Sequence, residues 1–204
     1  MSTDVQLLEA WRDGDTKAGD ELFQRHFKSL YRFFATKVDS GVEDLIQRSL
    51  LTCVERRDHL KDDARFRAYL FAVARNELYA RLRGLRRERM SEDITELSVA
   101  DLTESVGTMI GRREEHRVLL RALRTLPLGL QLLLELHYWE GMSTNELAEC
   151  FDVPPGTIKS RMRRARTSLA SAIERISESP ELLASTMDNL DRWVAEVREI
   201  EPTH

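Results

Sequence analysis

Basic side chains are concentrated on one predicted helix near the end of the sequence. Between Ile158 and Ala172 there is no acidic residue, and the basic residues are Lys159, Arg161, Arg163, Arg164 and Arg166. The apolar residues fall on another face of the same helix, at Ile158, Met162, Ala165, Leu169, Ile173 and Ile176. Arginine reads guanine edges in the major groove, and arginine and lysine both bind phosphates. The pattern predicts a helix that packs by one side and contacts DNA by the other.

The residues before this helix complete a helix-turn-helix pattern. Ser143 and Glu146 have the spacing of a capping box, which predicts that a helix begins there. Pro154 and Pro155 then end it, because proline has no amide proton, and proline also favours the first turn of a new helix. The spacing is typical of a helix-turn-helix. The alternative is a solvated basic helix in an ordinary bundle.

Composition predicts an all-α fold. Proline is absent before Pro127, and Leu, Ala, Arg and Glu are abundant. We expect two small helical domains joined by an acidic linker, the second containing the helix-turn-helix. The predicted boundaries are 1–90 for the first domain, 91–112 for the linker, 113–176 for the second domain and 177–204 for an amphipathic acidic C-terminal extension.

The first domain is predicted to be a three-helix core. Apolar residues recur at helical spacing from about Gly19 to Lys37, at Phe23, Phe27, Leu30 and Phe34. Two further apolar stretches around Leu45 and Leu70 supply the partners. From Ser91 to Gly107 acidic residues occur without a basic one, and the apolar residues have no clear helical period. We therefore expect a solvated linker there.

Bulk properties exclude several classes of protein. With 42% hydrophobic and 32% charged residues over 204 positions, the chain is not broadly disordered. Cys53 and Cys150 are too few for a disulfide framework, and no apolar run reaches the roughly 18 residues that span a bilayer. The histidines show no metal-ligand spacing, and no phosphate-binding glycine loop or hydrolase motif is found. We expect a cytoplasmic protein without membrane contact, metal, cofactor or catalytic residues.

These motifs resemble the sigma-70 family of RNA polymerase sigma factors, in its extracytoplasmic-function (ECF) group, over about Leu7 to Ile176. The resemblance implies an initiation factor that binds the clamp helices and flap of core RNA polymerase, directs it to promoter DNA and helps to melt the minus-ten region. The run from Leu123 to Ser143 and the run from Pro155 to Arg166 carry the second-domain match. It implies that the minus-thirty-five element is bound by Thr157, Lys159, Ser160, Arg161, Arg163 and Arg164.

The first domain resembles the same family in two segments. Residues 43–47 match the segment that docks on the clamp helices, which implies polymerase-binding roles for Glu43, Asp44, Leu45, Gln47, Arg48 and Leu51. Residues 66–76 match the minus-ten segment, where melted DNA needs stacking surfaces and cations. The implied minus-ten residues are Arg65, Arg67, Tyr69, Arg75, Asn76, Arg81, Arg83 and Arg86, with Arg87 adjacent. For Phe66, Tyr69 and Phe71 core packing is the alternative.

The docking segment departs from the family pattern. Where the family has Glu-Thr-Phe, this chain has Arg48, Ser49 and Leu50, which places a positive charge in the docking face. A like charge there costs binding free energy. Phosphorylation of Ser49 or Thr52 would restore negative charge, so we hypothesise that a serine/threonine kinase licenses polymerase binding. The alternative is that Arg48 turns to solvent and Ser49 closes the edge of the core.

Other functions share parts of this pattern. The nearest is a helix-turn-helix regulator, such as a repressor or a response-regulator output domain, that binds duplex DNA without polymerase. A recombinase also joins a helix-turn-helix to a second helical unit, but it needs a clustered nucleophile or metal-binding carboxylates. The resemblance further implies control by an anti-sigma factor in part of the family. The extension from Glu181 to Glu201 is a control element or a helix that covers the second domain.

Overall fold

The computed structural model describes residues 2–56, 66–85, 93–102 and 114–176, and within these ranges it contains helices and no strand. The predicted all-α fold is confirmed. The α-helices are α1 (Asp4–Arg12), α2 (Thr16–Ala35), α3 (Val42–Glu55), α4 (Phe66–Leu85), α5 (Val99–Leu102), α6 (Glu114–Arg124), α7 (Leu128–Tyr138), α8 (Thr144–Phe151) and α9 (Pro155–Ile176), with a 3-10 helix at Ile94–Glu96.

Helix α1 was not anticipated from the sequence. It begins with a capping box, in which the Thr3 side chain accepts from the Gln6 amide and the Gln6 side chain accepts from the Thr3 amide. Trp11 of α1 is 5% exposed and lies against α2 at Gly19, where an added Cβ would stand 2.7 Å from the indole ring. The glycine therefore allows the indole of α1 to approach α2 closely.

The side chain of Asp4 links the start of α1 to α2. Its carboxylate accepts from Nη1 of Arg25 and contacts Nε2 of His26, both at 2.7 Å. Burial would raise the pKa of Asp4, but His26 and Arg25 together hold it below its ordinary value. The charged carboxylate is thus the form that the folded chain stabilises.

Replacing Asp4 with asparagine is expected to lower Tm by about 2–6 °C at pH 7. Because the folded-state pKa of Asp4 is depressed, its contribution is present above the unfolded-state value of about 3.9 and disappears as pH falls through the folded-state value. The gap in Tm between Asp4→Asn and the unsubstituted chain should therefore narrow as pH falls below about 4. Thermal unfolding across pH tests this, with the exposed Asp20→Asn as the control. A gap independent of pH would contradict the assignment.

The core-facing side of α2 differs from the predicted one. The buried residues of this helix are Ala18, Gly19, Leu22, His26, Leu30, Phe33 and Phe34, whereas Phe27 is 38% exposed and Phe23 is only partly buried. The spacing of the aromatic residues predicted a buried face of α2 that is displaced by about one residue from the observed buried face. Docking of α1 explains part of the difference, because Phe23 packs edge-on against Trp11 with ring centroids 5.1 Å apart.

The second half of the chain is built around α7. Leu128, Leu132 and Leu136 of this helix are fully buried. Helix α9 packs against α6, α7 and α8, which closes the core of this half. The buried apolar side chains of the two halves meet in one continuous cluster.

Part of the predicted linker is packed rather than solvated. Ile94 is 7% exposed and Val99 is fully buried. The Leu128 amide donates to the carbonyl oxygen of Leu97 at 2.7 Å, which ties this segment to the start of α7. Its apolar residues show no helical period because only a few of them are needed to cover one end of α7. The expectation of a solvated segment was wrong for residues 93–102.

Ion pairs join the two halves of the chain. Nζ of Lys37 is fully buried, donates to the Phe33 carbonyl oxygen at 2.6 Å and pairs with the buried carboxylate of Glu135 on α7. Burial lowers the pKa of Lys37 and raises that of Glu135, while their mutual attraction opposes both shifts. Arg32 and Glu140 form a second pair at 3.0 Å, each side chain 11% exposed. The end of α2 is thereby fixed against α7.

Candidate nucleic-acid interface

The helix-turn-helix is formed by α8 and α9. The Ser143 side chain accepts from the Glu146 amide at 3.3 Å, and the Glu146 carboxylate accepts from the Ser143 amide at 2.8 Å, which confirms the predicted capping box. Helix α8 ends at Phe151, the following C-cap residue Asp152 has a left-handed backbone (φ 54°), and α9 begins at Pro155. Aspartate tolerates this conformation better than most residues do, so the turn is short.

Helix α9 separates its core face from its cationic face as the spacing predicted. Its buried residues are Ile158, Met162, Ala165, Leu169, Ala172 and Ile173. Five of the six residues assigned to the minus-thirty-five element are exposed, namely Lys159, Ser160, Arg161, Arg163 and Arg164, while Thr157 is half-buried. The Ser160 hydroxyl donates to the Thr157 carbonyl oxygen at 2.9 Å. The helix therefore presents a continuous basic surface to solvent.

A shallow groove runs along this basic surface. It is lined by Gly156, Lys159, Ser160, Arg163, Arg164, Thr167 and Ser168. Arg164 lies 3.6 Å from Glu96 in the 3-10 helix, with both side chains 63% exposed, so this pair contributes little to stability. The Arg166 guanidinium lies 5.5 Å from the centre of the Tyr138 ring, which holds it toward α7. The groove has the charge and lining expected of a phosphate-contacting surface.

Helix α3 presents a mixed acidic and apolar face. Glu43, Asp44, Gln47, Arg48 and Leu51 are exposed. Arg48 pairs with Asp44 at 3.1 Å, with 62% and 58% of the two side chains exposed. This pair masks the negative charge of Asp44.

Two residues of α3 depart from the predicted docking set. Leu45 is 2% exposed and packs in the core, so its inclusion in the docking face was wrong. Val54 is 37% exposed and lies three residues beyond Leu51, which is 57% exposed. The i, i+3 spacing of Leu51 and Val54 in the sequence was a signal for this exposed apolar pair.

The two predicted phosphorylation sites differ in accessibility. Ser49 is fully buried and its hydroxyl donates to the Leu45 carbonyl oxygen at 2.7 Å, so a kinase cannot reach it while α3 is folded. The prediction for Ser49 was wrong, because this residue closes the edge of the core. Thr52 is half-buried, and its hydroxyl donates to the Arg48 carbonyl oxygen at 3.0 Å near the surface.

Two of the arginines assigned to the minus-ten element are engaged within the chain. Nε and Nη2 of Arg67 donate to Oε1 of Glu146 at 3.2 and 2.6 Å, and Nη1 donates to the Glu140 carbonyl oxygen at 3.0 Å. Arg75 donates to the Cys150 carbonyl oxygen at 2.5 Å. Burial would raise the pKa of Glu146, but the Ser143 amide and Arg67 hold it below its ordinary value. In this structure Arg67 and Arg75 are half-buried against the second half of the chain.

The other residues assigned to the minus-ten element differ in how exposed they are. Tyr69 is half-buried and packs against the core, and its buried hydroxyl has no hydrogen-bond partner among the described residues. This contact matches core packing, the alternative stated for this residue, and burial raises the pKa of Tyr69. Asn76, Arg81 and Arg83 are exposed on α4. Arg65, Arg86 and Arg87 lie outside the described residues.

The cysteines and histidines do not assemble into a metal site within the described ranges. Cys53 and Cys150 are buried free thiols, and burial raises the pKa of each to about 12. A thiol with so high a pKa is a poor nucleophile and a poor metal ligand. Within the same ranges no helix is long and apolar enough to cross a bilayer.

Comparison with known proteins identifies both halves. Residues 22–88 match the model of sigma-70 region 2, and residues 116–169 match that of sigma-70 region 4. The ECF RNA polymerase sigma-E factor of Salmonella typhimurium is 28% identical over 182 residues, covering 84% of this chain and 95% of that protein. The ECF RNA polymerase sigma factor SigM of Mycobacterium tuberculosis is 30% identical over 172 residues, covering 82% and 83%.

Two solved structures share the fold. One is CnrH in complex with the cytosolic domain of CnrY, at a TM-score of 0.59 and 22% identity, covering 85% of this chain and 99% of that one. The other is the sigma factor RpoE in complex with the anti-sigma factor NepR from Bartonella quintana, at a TM-score of 0.55 and 24% identity, covering 74% and 95%.

The fold and the basic surface define a helical DNA-binding protein with a helix-turn-helix in its second half. The family matches are more specific, because a DNA-binding regulator without polymerase has no need of sigma region 2. The chain belongs to the ECF group of RNA polymerase sigma factors. It is a transcription initiation factor that binds core RNA polymerase and directs it to promoter DNA.

Proposed function

We propose that three helices divide the work of promoter recognition. Helix α9 binds the minus-thirty-five element through Lys159, Ser160, Arg161, Arg163 and Arg164, with Thr157 at the edge of the contact. Helix α4 binds the melted minus-ten strand, and α3 docks on the polymerase clamp helices while the second domain contacts the flap. The supporting observation is the exposed basic face of α9, which follows a capped helix and a short turn and lies opposite a fully apolar face.

Run-off transcription tests this division of work. Purified chain and core polymerase should yield promoter-dependent transcripts, and the chain should co-purify with core polymerase in a pull-down. A chain that binds duplex DNA but neither retains core polymerase nor supports run-off transcription would instead behave as a repressor.

We assign the chain no catalytic activity of its own and place it in the cytoplasm, where its polymerase partner acts.

We further propose that phosphorylation of Thr52 strengthens polymerase docking. Arg48 lies on the surface of α3 one turn before Thr52, and Arg56, the C-cap residue of α3, lies four residues after Thr52. A phosphate would add roughly 1.5 to 2 negative charges between them and draw Arg48 away from Asp44. Release of Asp44 then restores an acidic surface beside the exposed side chains of Leu51 and Val54. The kinase site that we propose is therefore Thr52 alone.

Thr52→Glu is expected to tighten binding to core polymerase several-fold relative to Thr52→Gln, because the two side chains differ in charge and hardly in shape. Equilibrium binding with labelled core polymerase measures the ratio. Ser49→Ala should leave the response to Thr52→Glu unchanged, since Ser49 is buried. Equal affinities of Thr52→Glu and Thr52→Gln would remove the phosphorylation proposal and leave the promoter-binding proposal standing.

Control by a protein partner is a further element of the proposal. The RpoE structure from Bartonella quintana contains an anti-sigma factor, and its fold is shared by this chain. We propose that an anti-sigma factor or a serine/threonine kinase regulates this chain. Residues 177–204, predicted to be an acidic extension, lie outside the described residues. If the extension is a control element, its deletion will change promoter activity, whereas a merely covering helix will leave it unchanged.

A further inference from the structure

We propose that a cleft between the end of α7 and the first half of α9 binds one phosphate of the promoter backbone, and that His137 takes up a proton when this phosphate binds. The inference rests on the proposed contact of α9 with promoter DNA and adds a second binding site beside it. The groove described above and this cleft lie on opposite sides of a row on α9 formed by Lys159, Arg163 and Thr167, which line both. A duplex that fills the groove therefore also meets the cleft.

The lining of this cleft, which we call the phosphate cleft, is cationic. Its polar lining residues come from three helices and are His137 on α7, Thr144 on α8, and Lys159, Arg163, Arg166 and Thr167 on α9. None of the described residues that line it is acidic. Thr144 is the first residue of α8, and the first amides of a helix lack intrahelical partners and favour an anion. A phosphate oxygen is the ligand that suits this combination of groups.

Aromatic contacts position two of the lining side chains. The Tyr138 ring meets the His137 ring edge-on, with centroids 4.9 Å apart, and the Arg166 guanidinium lies 5.5 Å from the centre of the same Tyr138 ring. Both side chains are therefore held beside the cleft before DNA arrives. Less side-chain entropy is lost on binding when the contacting groups are already ordered.

The hydrogen bond of His137 determines which ring nitrogen carries the proton. Nδ1 lies 2.9 Å from the Met142 carbonyl oxygen, and because a carbonyl oxygen can only accept, Nδ1 is the protonated nitrogen. In the neutral ring Nε2 is then an acceptor and cannot bond to a phosphate oxygen, which is also an acceptor. Nε2 must therefore gain a proton when it binds a phosphate. An unperturbed imidazole gains this proton between about pH 5 and 8.

The groups around His137 leave room for one added negative charge. The charged and titratable side chains near it on α7, α8 and α9 are Tyr138, Glu140, Glu146, Lys159, Arg163 and Arg166. The two carboxylates are paired with arginines of α2 and α4, at 3.0 and 2.6 Å. Helix α6 and the 3-10 helix also contact α7 but contribute no residue to the lining of the phosphate cleft. A bound phosphate is therefore the anion that offsets a positive charge on the His137 ring.

The affinity for promoter DNA should consequently rise as pH falls. The complex holds one more proton than the separate chain and DNA do, so lower pH favours the complex over the range in which the ring takes up its proton. Contacts made by lysine and arginine alone have no such dependence in this range, because those side chains are charged throughout it. The position of His137 in the last turn of α7 supports the protonated form, because a helix C-terminus favours a positive charge.

Promoter binding by holoenzyme, formed from core polymerase and the full chain, tests the phosphate cleft. His137→Gln keeps an N–H donor but takes up no proton, so its pH dependence is the background of all other groups. Between pH 8 and pH 6 at constant ionic strength, the unsubstituted holoenzyme should gain about fivefold more affinity than His137→Gln does. His137→Arg is the matched control, because it is charged at both values and should bind tightly with only the background pH dependence.

Neutral methylphosphonate groups in the promoter identify the bound phosphate. Substitution at one backbone position should remove the extra pH dependence of the unsubstituted holoenzyme, while substitution elsewhere should leave it unchanged. An excess of inorganic phosphate at constant ionic strength examines the other source of the same chemistry. If inorganic phosphate removed the extra pH dependence and no methylphosphonate position did, the cleft would bind a free ion and its assignment to the DNA backbone would be overturned.

The remaining outcomes separate this site from the proposed function. Equal pH dependence of the unsubstituted and His137→Gln holoenzymes would overturn the proton-coupled site. If neither a methylphosphonate nor inorganic phosphate removed a difference between them, His137 would act without binding a phosphate, which also overturns it. If the holoenzyme preferred no promoter at any pH, the proposed function would fail. Binding to random duplex would then still decide the role of His137, because phosphate contacts do not depend on sequence.

Discussion

Replacing Lys37 with methionine is expected to destabilise the folded chain by about 3–5 kcal/mol, because the carboxyl of Glu135 would be left buried without its charged partner. Calorimetric or denaturant unfolding measures the loss. The loss is limited by the free energy needed to part the two halves, since separation hydrates Glu135. If the two halves separate in the variant, the loss of stability will be smaller and the radius of gyration will be larger.

A second substitution distinguishes the contribution of the ion pair to stability from that of side-chain packing. Lys37→Met combined with Glu135→Gln removes both charges and retains the acceptor for Nε2 of Gln131, which donates to Oε1 of Glu135 at 2.8 Å. The double variant should therefore recover most of the stability lost by Lys37→Met, because neither partner is left charged and unpaired. A single variant as stable as the unsubstituted chain would contradict the buried pair.

Replacing Arg163 with alanine is expected to reduce transcription from a minus-thirty-five-dependent promoter about 5- to 150-fold, the effect of losing one direct contact of 1–3 kcal/mol. Arg163 is exposed in the middle of the basic groove of α9. Arg175→Ala removes the same charge from the same helix near its far end and is the control. Run-off transcription on one promoter compares the two variants.

The two variants should also differ in how they respond to salt. If Arg163 contacts only phosphates, Arg163→Ala will weaken binding to all sequences and reduce the salt slope by about 1; if it reads a base, it will relax specificity at one position. Equal activity of Arg163→Ala and Arg175→Ala would show that the groove is not where α9 contacts DNA.

The local structure was predictable where one short sequence pattern determines it. Ser143 and Glu146 cap α8, and Pro155 begins α9 where the sequence predicted. The buried and exposed faces of α9 also followed from spacing alone, because helical periodicity assigns faces without knowledge of the partner. The equivalent signal at Thr3 and Gln6 was present and overlooked, although it marks the start of α1 in the same way.

The contacts between the halves were not predictable from spacing. Lys37 follows the end of α2 and would normally be expected at the surface, yet it is fully buried because Glu135 meets it from a helix 98 residues away. Arg67 and Arg75 are basic residues of the kind that line a DNA-binding face. Nothing in the sequence pattern indicates that they contact α8. The burial and contacts of these residues depend on partners that are distant in the sequence.

Burial within α3 shows the same limit on a smaller scale. Leu45 and Ser49 lie one turn apart, and both face the core, whereas Asp44 and Arg48 lie one turn apart on the surface. The family segment runs through both faces, so a match to it cannot say which residues dock. Only the packing of α2 and α4 against α3 separates the docking face from the core.

Recognition of two promoter elements by this chain can be measured by transcription from a library of promoter fragments with core polymerase and the full chain. We expect the transcribed fragments to share two separate sequence elements, and Arg163→Ala to weaken selection of the upstream element alone. Transcripts with no shared upstream sequence, or none beyond those made by core polymerase without the chain, would contradict it.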